Sequence, residues 1–209
     1  MRNPATTVRY RRDGFVVIPA VLDEATVAEC FKHLGRLQGE GRLTGPIVTA
    51  PLERDEFLSG LVGDYRLSGL AGCLLRSQPL PFGCTYFVKE PGGHPVGWHQ
   101  DGHPWRTQLG ITEAVTVWIA LDAADVHNGG LRVIPGSHTL AAQPLRPTPE
   151  GNGVFGAEID PALVDDTLAR QLRLAPGDVA AHHPNLIHGS LANRSARPRR
   201  ALAVRYRAV

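Results

Sequence analysis

At 209 residues, with 43% hydrophobic and 20% charged side chains, the chain fits one globular domain with a sizeable core and carries no low-complexity tract. Its formal net charge of +2 is too small to argue for nucleic acid or an anionic membrane surface as partner. The three Cys, at 30, 73 and 84, form no CxxC pair, and no apolar run approaches the roughly 18 residues of a membrane span, so the expectation is a cytosolic protein without a disulfide frame.

In chain order, residues 1–12 are polar and basic and read as a loose arm. Phe15 to Ile18 reads as a short buried strand ended by Pro19. Asp23 is a candidate N-cap for a helix that buries Val27, Ala28, Phe31 and Leu34 and fades by Gly39. Residues 40–54 read as a loop, and Asp55 to Cys73 as two short helices around Gly63-Asp64. From Pro81 the character turns to β. Cys84 to Lys89 and Thr112 to Leu121 are strand patterns, and His127 to Gly130 is a turn. Leu131 to Ile134 is a short strand closed by Pro135 to His138. Residues 139–169 are rich in Pro and Gly, lack a strong strand pattern, turn helical near Pro161 to Arg170, and read as a lid. Gln171 to Leu174, Asp178 to His182 and Ala201 to Tyr206 are further strands. Many short strands with frequent turns argue for a β-sandwich or barrel whose mouth holds a small-molecule site.

The stretch Gly97-Trp98-His99-Gln100-Asp101 carries chemistry. In an extended strand, His99 and Asp101 point to one face and can reach a common metal ion. Two His and one carboxylate leave open positions and suit non-heme Fe(II) that activates oxygen. The second His should come from another strand end, and His188 before Gly189-Ser190 is the candidate. Arg199, at the head of the last strand, can grip a carboxylate bidentately. A His-x-Asp triplet alone arises often by chance.

An ordered set of stretches resembles the phytanoyl-CoA dioxygenase family of Fe(II)- and 2-oxoglutarate-dependent oxygenases. They are Gly14 to Pro19, Trp98 to Asp101, Asn128 to Leu131, Pro135 to His138, Pro176 to Asp178 and His183 to Ser190, leading to Arg199. The resemblance implies a mainly β fold, a double-stranded β-helix or cupin-like jelly roll with N-terminal helices and a lid insertion. One domain would span 1–209, with an arm and helical buttress over 1–79 and a jelly-roll core over 80–209. It implies His99, Asp101 and His188 as iron ligands. Arg199 would bind the distal carboxylate of 2-oxoglutarate with Ser190 beside it, and Thr85 and Trp118 would line the cosubstrate pocket. Strand alternation puts the neighbouring Arg200 on the opposite face. The implied cofactors are Fe(II), 2-oxoglutarate and O2. The implied reaction hydroxylates a C–H bond of a small molecule, a natural-product or amino-acid-like intermediate, and releases succinate and CO2. Relatives that halogenate usually lack the carboxylate, and Asp101 is present.

His103, Trp105 and Arg106 are candidates for the substrate mouth, and Arg132 with the 139–169 segment for an acidic substrate. His33 reads as a solvated helix residue, and His94, His127 and His138 as turn residues. His182 and His183 read as supports of His188, with His182 a candidate to face the pocket. A His99/His103 zinc pair on a helix is opposed by Pro104 and by the extended context. Two other readings stay open: an oxygen-independent cupin-type metal enzyme such as a zinc hydrolase or isomerase, and a catalytically silent binding module.

Overall fold

The run Ala114–Ala120 alternates Val115, Val117 and Ile119 on one face with Thr116, Trp118 and Ala120 on the other, and all of it is buried. Such a strand needs cover on both sides. The computed structural model, which describes residues 4–42, 45–49, 55–148 and 156–209, supplies helices on one side and a second sheet on the other. In chain order the elements are α1 (Pro4–Asp13), β1 (Phe15–Ile18), α2 (Glu24–Gly39), β2 (Ile47–Thr49), α3 (Glu56–Gly63), α4 (Tyr65–Leu75), β3 (Pro79–Lys89) and β4 (Val96–His99). They continue with α5 (Gly102–Leu109), β5 (Ala114–Ala120), β6 (Leu131–Val133), β7 (Leu145–Pro147), β8 (Ala157–Ile159), β9 (Arg170–Gln171), β10 (Val179–His182), β11 (His188–Ser190) and β12 (Arg199–Ala208).

The larger sheet runs β1-β10-β5-β12-β3-β2 and the smaller β4-β11-β6-β9, with β7-β8 a separate hairpin. The strand pairs are antiparallel. This is the jelly-roll arrangement expected of the chain.

Two cores result. On the outer face of the larger sheet, Leu34 and Leu37 of α2, Leu58 of α3 and Leu67 of α4 pack on Val117, Ile119, Leu202, Val204 and Tyr206. Each such fully buried side chain contributes roughly 1.5–3 kcal/mol. Asp23 caps α2 by accepting from the Thr26 N–H at 2.7 Å, a bond worth about 1 kcal/mol. Between the sheets the side chains are smaller: Ala120, Ala180, Ala201 and Ala203 surround Trp118, Leu131 and Val133. That inner face leaves space.

Four expectations need correction. Residues 4–13 of the supposed arm form α1, held by buried Tyr10. The supposed loop 40–54 contains β2, which pairs with β3; its residues 43–44 and 50–54 lie outside the described set. His33 is buried rather than solvated: Nε2 meets Asp55 Oδ2 at 2.8 Å, Nδ1 meets the Tyr86 hydroxyl at 3.0 Å, and the ring stacks on Phe57. The segment 139–169 holds the β7–β8 hairpin and two short 3-10 turns, at Pro161–Leu163 and Asp166–Leu168, in place of a helix. Its residues 149–155 are not among those described.

Candidate active site

Strand pairing builds the site. His188 of β11 lies directly opposite His99 of β4, with ring centroids 4.0 Å apart. One step on, Ser190 pairs with Val96, so Gly97 and Trp98 together face Gly189. This β-bulge beside the two imidazoles re-aims the end of β4. Gly189 has no substitute here, because a Cβ would meet the Val96 carbonyl oxygen at 2.7 Å.

Asp101 sits two residues past His99, at the N-cap of α5, yet its side chain makes no capping hydrogen bond. A capping carboxylate normally takes the N–H of the second or third helical residue. The third here is Pro104, which has none, and the carboxylate turns instead to the imidazoles. Asp101 Oδ1 lies 3.8 Å from His99 Nε2, and Oδ2 lies 3.9 Å from His188 Nε2. The three ligand atoms fall within 4.8 Å of one another, close enough for one ion to draw together. Pro104 stands in the first turn of α5, where a proline is tolerated, so Pro104 does not exclude a helix after all. His99 precedes that helix, on β4, and the His99/His103 helical pair does not arise.

The electrostatics suit a metal. His99 Nδ1 meets the Gly97 carbonyl and His188 Nδ1 the Leu186 carbonyl, each at 2.9 Å. Those contacts place the ring proton on Nδ1 and leave Nε2 as the donor facing Asp101. Burial first, then neighbouring imidazoles, pushes both His99 and His188 down to about 4, so the rings are neutral at physiological pH. Burial works against the Asp101 charge, but the surrounding imidazoles and Arg205 hold the carboxyl far below its usual range.

A cavity between the sheets runs from the triad to Arg199 and is also lined by Trp118, His182 and Ser190. Arg199 is 4% exposed, its Nε has no partner among the described residues, and its Cζ lies 5.7 Å from the Trp118 ring centre. Burial pushes this guanidinium down to about 10. A buried guanidinium without a carboxylate partner is what a cosubstrate carboxylate would complete. Arg200 faces the other way and grips Asp122 at 2.7 and 3.0 Å. His182 is 2% exposed, with neither ring nitrogen hydrogen-bonded among the described residues; its Nε2 stands 3.8 Å from Asp101 Oδ2, beyond bonding distance. His183 accepts from the Asn185 N–H and does not line this cavity.

Other candidates are distributed differently. Thr85 lines a second, outer cavity on the far side of the triad, where its hydroxyl accepts from Arg205 at 2.7 Å. Trp105 lines that outer cavity too. His103 and Arg106 do not; they border a surface cleft with His138 and Asn185. Arg132 pairs with Asp166 at 2.7 Å and stacks on Trp98.

Two cations escaped the sequence reading. Lys89 lies opposite Arg199 in the β3–β12 register, and its Nζ donates to Ser190 Oγ at 2.6 Å and to the Leu191 carbonyl at 2.7 Å. Burial, with Arg199 nearby, pushes it down to about 7. Arg205 lies six residues after Arg199 and lines both cavities. Alternation along β3 and β12 is the signal that would have found both.

Comparison with known proteins agrees with this geometry. The chain is 30% identical to L-proline trans-4-hydroxylase of Streptomyces griseoviridis, over 97% of this chain and 85% of that protein. It superposes on EvdO2 of Micromonospora carbonacea var. aurantiaca, solved with 2-oxoglutarate, with a TM-score of 0.83 at 23% identity, covering 100% of this chain and 92% of the other. It superposes on the non-heme alpha-ketoglutarate-dependent epimerase SnoN of nogalamycin biosynthesis with a TM-score of 0.77 at 28% identity, covering 99% and 84%. No described helix is long and apolar enough to cross a membrane. Residues 10–201 match the model of the phytanoyl-CoA dioxygenase (PhyH) family, and the chain belongs to that family of Fe(II)- and 2-oxoglutarate-dependent oxygenases.

Proposed function

We propose that the chain hydroxylates a C–H bond of a small molecule, with His99, Asp101 and His188 holding Fe(II) and Arg199 holding 2-oxoglutarate. The observation that carries this reading is the geometry of the triad. Two neutral imidazoles and one ionised carboxylate converge from one side, and the other side opens on two cavities. Three protein donors on one face leave positions for a chelating keto acid and for oxygen. Bound Fe(II), 2-oxoglutarate and O2 supply the oxidation, in which the keto acid gives succinate and CO2 and the substrate gains a hydroxyl.

The chain's own residues divide the remaining work. The Gly97 and Leu186 carbonyls fix the tautomer of both imidazoles and orient them. Arg199, with Ser190 and Lys89 beside it, receives the distal carboxylate at the dry end of the inner cavity. Trp118 forms the wall against which the keto acid lies. The outer cavity, about 470 Å³, receives the substrate. Leu145 of β7 and Ala157 of β8 close part of it, as a lid over 139–169 would. An imino-acid hydroxylase among the relatives supports a compact substrate. The epimerase SnoN, on a similar scaffold, argues that the scaffold alone does not select the outcome.

The test is succinate release. Protein loaded with Fe(II) and given 2-oxoglutarate under air is expected to release succinate, slowly alone and faster with a true substrate. A protein that binds no keto acid, or that works equally well with zinc and without oxygen, is not this enzyme.

A further inference from the structure

We propose that Arg205 docks a carboxylate of the organic substrate, which makes the substrate class a small acid with an apolar body. This rests on the reading of the triad as the iron site and of Arg199 as the keto-acid end. Arg205 is on the cavity face of β12, separated from Arg199 by the small side chains Ala201 and Ala203 on that same face. Arg199 borders the inner cavity but not the outer one, whereas Arg205 borders both. Arg205 lines both cavities together with His99 and Asp101, which places it beside the reacting centre.

Beside its two charged groups and the polar Thr49, Thr85, His99 and Gln100, the lining of the outer cavity is apolar. Phe82 and Trp105 meet edge to face at 5.2 Å between ring centres, and Phe87, Pro104 and Leu109 extend the wall. Among the described lining residues, Arg205 is the only Lys or Arg and Asp101 the only Asp or Glu. A guanidinium has five N–H donors. Arg205 uses one of them on Thr85 at 2.7 Å, and its Cζ lies 5.8 Å from the Trp105 ring centre. Once Asp101 is committed to a metal, the Arg205 charge faces a chamber whose other polar groups, among them Thr49, Thr85 and Gln100, carry no negative charge. An anion is the group that such a chamber lacks, and a carboxylate fits the guanidinium fork with two parallel bonds. The aromatic wall then takes the rest of the molecule, and the head group sets which carbon faces the triad.

The experiment compares an acid with its uncharged amide. Protein loaded with Mn(II) and 2-oxoglutarate, without oxygen, is titrated calorimetrically with 3-phenylpropanoate and with 3-phenylpropanamide. Wild type is expected to prefer the acid by on the order of tenfold or more. Arg205→Gln is expected to lose that preference while keeping its 2-oxoglutarate affinity within about twofold, and Arg205→Lys to keep part of it, since charge survives without the fork. The inference is overturned if wild type binds acid and amide alike or binds neither. It is also overturned if Arg205→Gln keeps the preference, or if that variant weakens 2-oxoglutarate itself, which would assign Arg205 to the cosubstrate. The 2-oxoglutarate titration of wild type separates the two levels. If that fails, the functional reading falls; if it succeeds without an acid preference, only the substrate class falls.

Discussion

Replacing Arg199 with Met should make the protein more stable and blind to its cosubstrate. The guanidinium is 4% exposed, makes no side-chain hydrogen bond among the described residues, and is held down to about 10 chiefly by burial, with Asp122 offsetting a part. That depression converts to about 3 kcal/mol of disfavoured charge in the ligand-free fold. A lowered pKa on a base means that the folded state binds the proton more weakly, and stability on this account rises only as pH climbs through the alkaline range. At pH 7 both folded and unfolded guanidinium are fully protonated, so the penalty is constant there. Met keeps much of the stem volume and removes the charge, and such swaps stabilise proteins by roughly 1–4 kcal/mol. For a chain of this length, each kcal/mol moves Tm by about 2–4 °C, so a rise of several degrees is expected. Wild type loaded with Mn(II) should gain about 2.7 kcal/mol from 2-oxoglutarate at a hundredfold its Kd, and the Met variant should gain nothing. Differential scanning calorimetry with and without 2-oxoglutarate reads both effects. A variant that melts below wild type refutes the uncompensated charge, and one that still gains Tm from 2-oxoglutarate removes Arg199 from the site.

Three further outcomes follow from the same geometry. His99→Ala or Asp101→Ala should abolish tight iron binding, read by metal analysis after dialysis, and near-normal affinity in both would dissolve the triad. Gly189→Ala should destabilise the fold by the roughly 1–3 kcal/mol typical of overpacking and weaken iron by about 10–100-fold, because its Cβ meets the Val96 carbonyl and pries His188 from His99; a wild-type melt and wild-type affinity would show that the strands yield freely. Asp55→Asn should cost about 1.5–3 kcal/mol at pH 7 by weakening the buried bond to His33. Burial opposes the Asp55 charge, but the Leu58 N–H and His33 prevail and hold the carboxyl below its usual range. Its contribution is therefore fully present above the unfolded value of about 4, fades below it, and is lost as pH falls through the depressed folded value. The gap between the melts of the two proteins should narrow as pH falls from 7 to 3, and a constant gap would contradict this.

The site was more legible in the sequence than the scaffold beneath it. His99 and Asp101 announce themselves by their spacing, and the ordered motifs around them single out His188 from nine His. Alternation put Arg199 and Arg200 on opposite faces, since a strand admits one of two neighbours to each face, and the spacing shared with the family chose Arg199. The same rule applied to β3 and β12 exposes Lys89 and Arg205, which share their faces with Thr85 and Phe87 and with Arg199. His33 shows the opposite failure. It follows Val27 and Cys30 at helical spacing, on the stripe that α2 buries, but a polar residue there reads as solvated unless its partner is known. That partner, Asp55, is 22 residues away, and only the tertiary fold brings it near. The hairpin β7–β8 was hidden for a related reason. It is three residues on each side, β7 is exposed throughout, and it is held by an Arg146–Glu158 ion pair that leaves no hydrophobic period to read.

One strand shows why a stable fold can have a hollow middle. On the cavity face of β12, the side chains run Arg199, Ala201, Ala203, Arg205, two cations flanking two methyl groups. At about 3.3 Å per residue, the six-residue interval sets the two arginines about 20 Å apart along the strand. That places one cation toward each end of the space before the triad. Each CH2 left out of that face forgoes about 0.8 kcal/mol of burial, and the buried guanidinium of Arg199 adds a desolvation cost. The opposite face of the same strand makes up the loss: Leu202, Val204 and Tyr206 are fully buried against the helices, and the Tyr206 hydroxyl donates to the Val62 carbonyl at 2.8 Å. The helices α2, α3 and α4 therefore do more than cover a sheet. They carry the stability that lets the other face of the sheet hold buried charge and empty space, the two properties that an oxidising centre and its keto acid require.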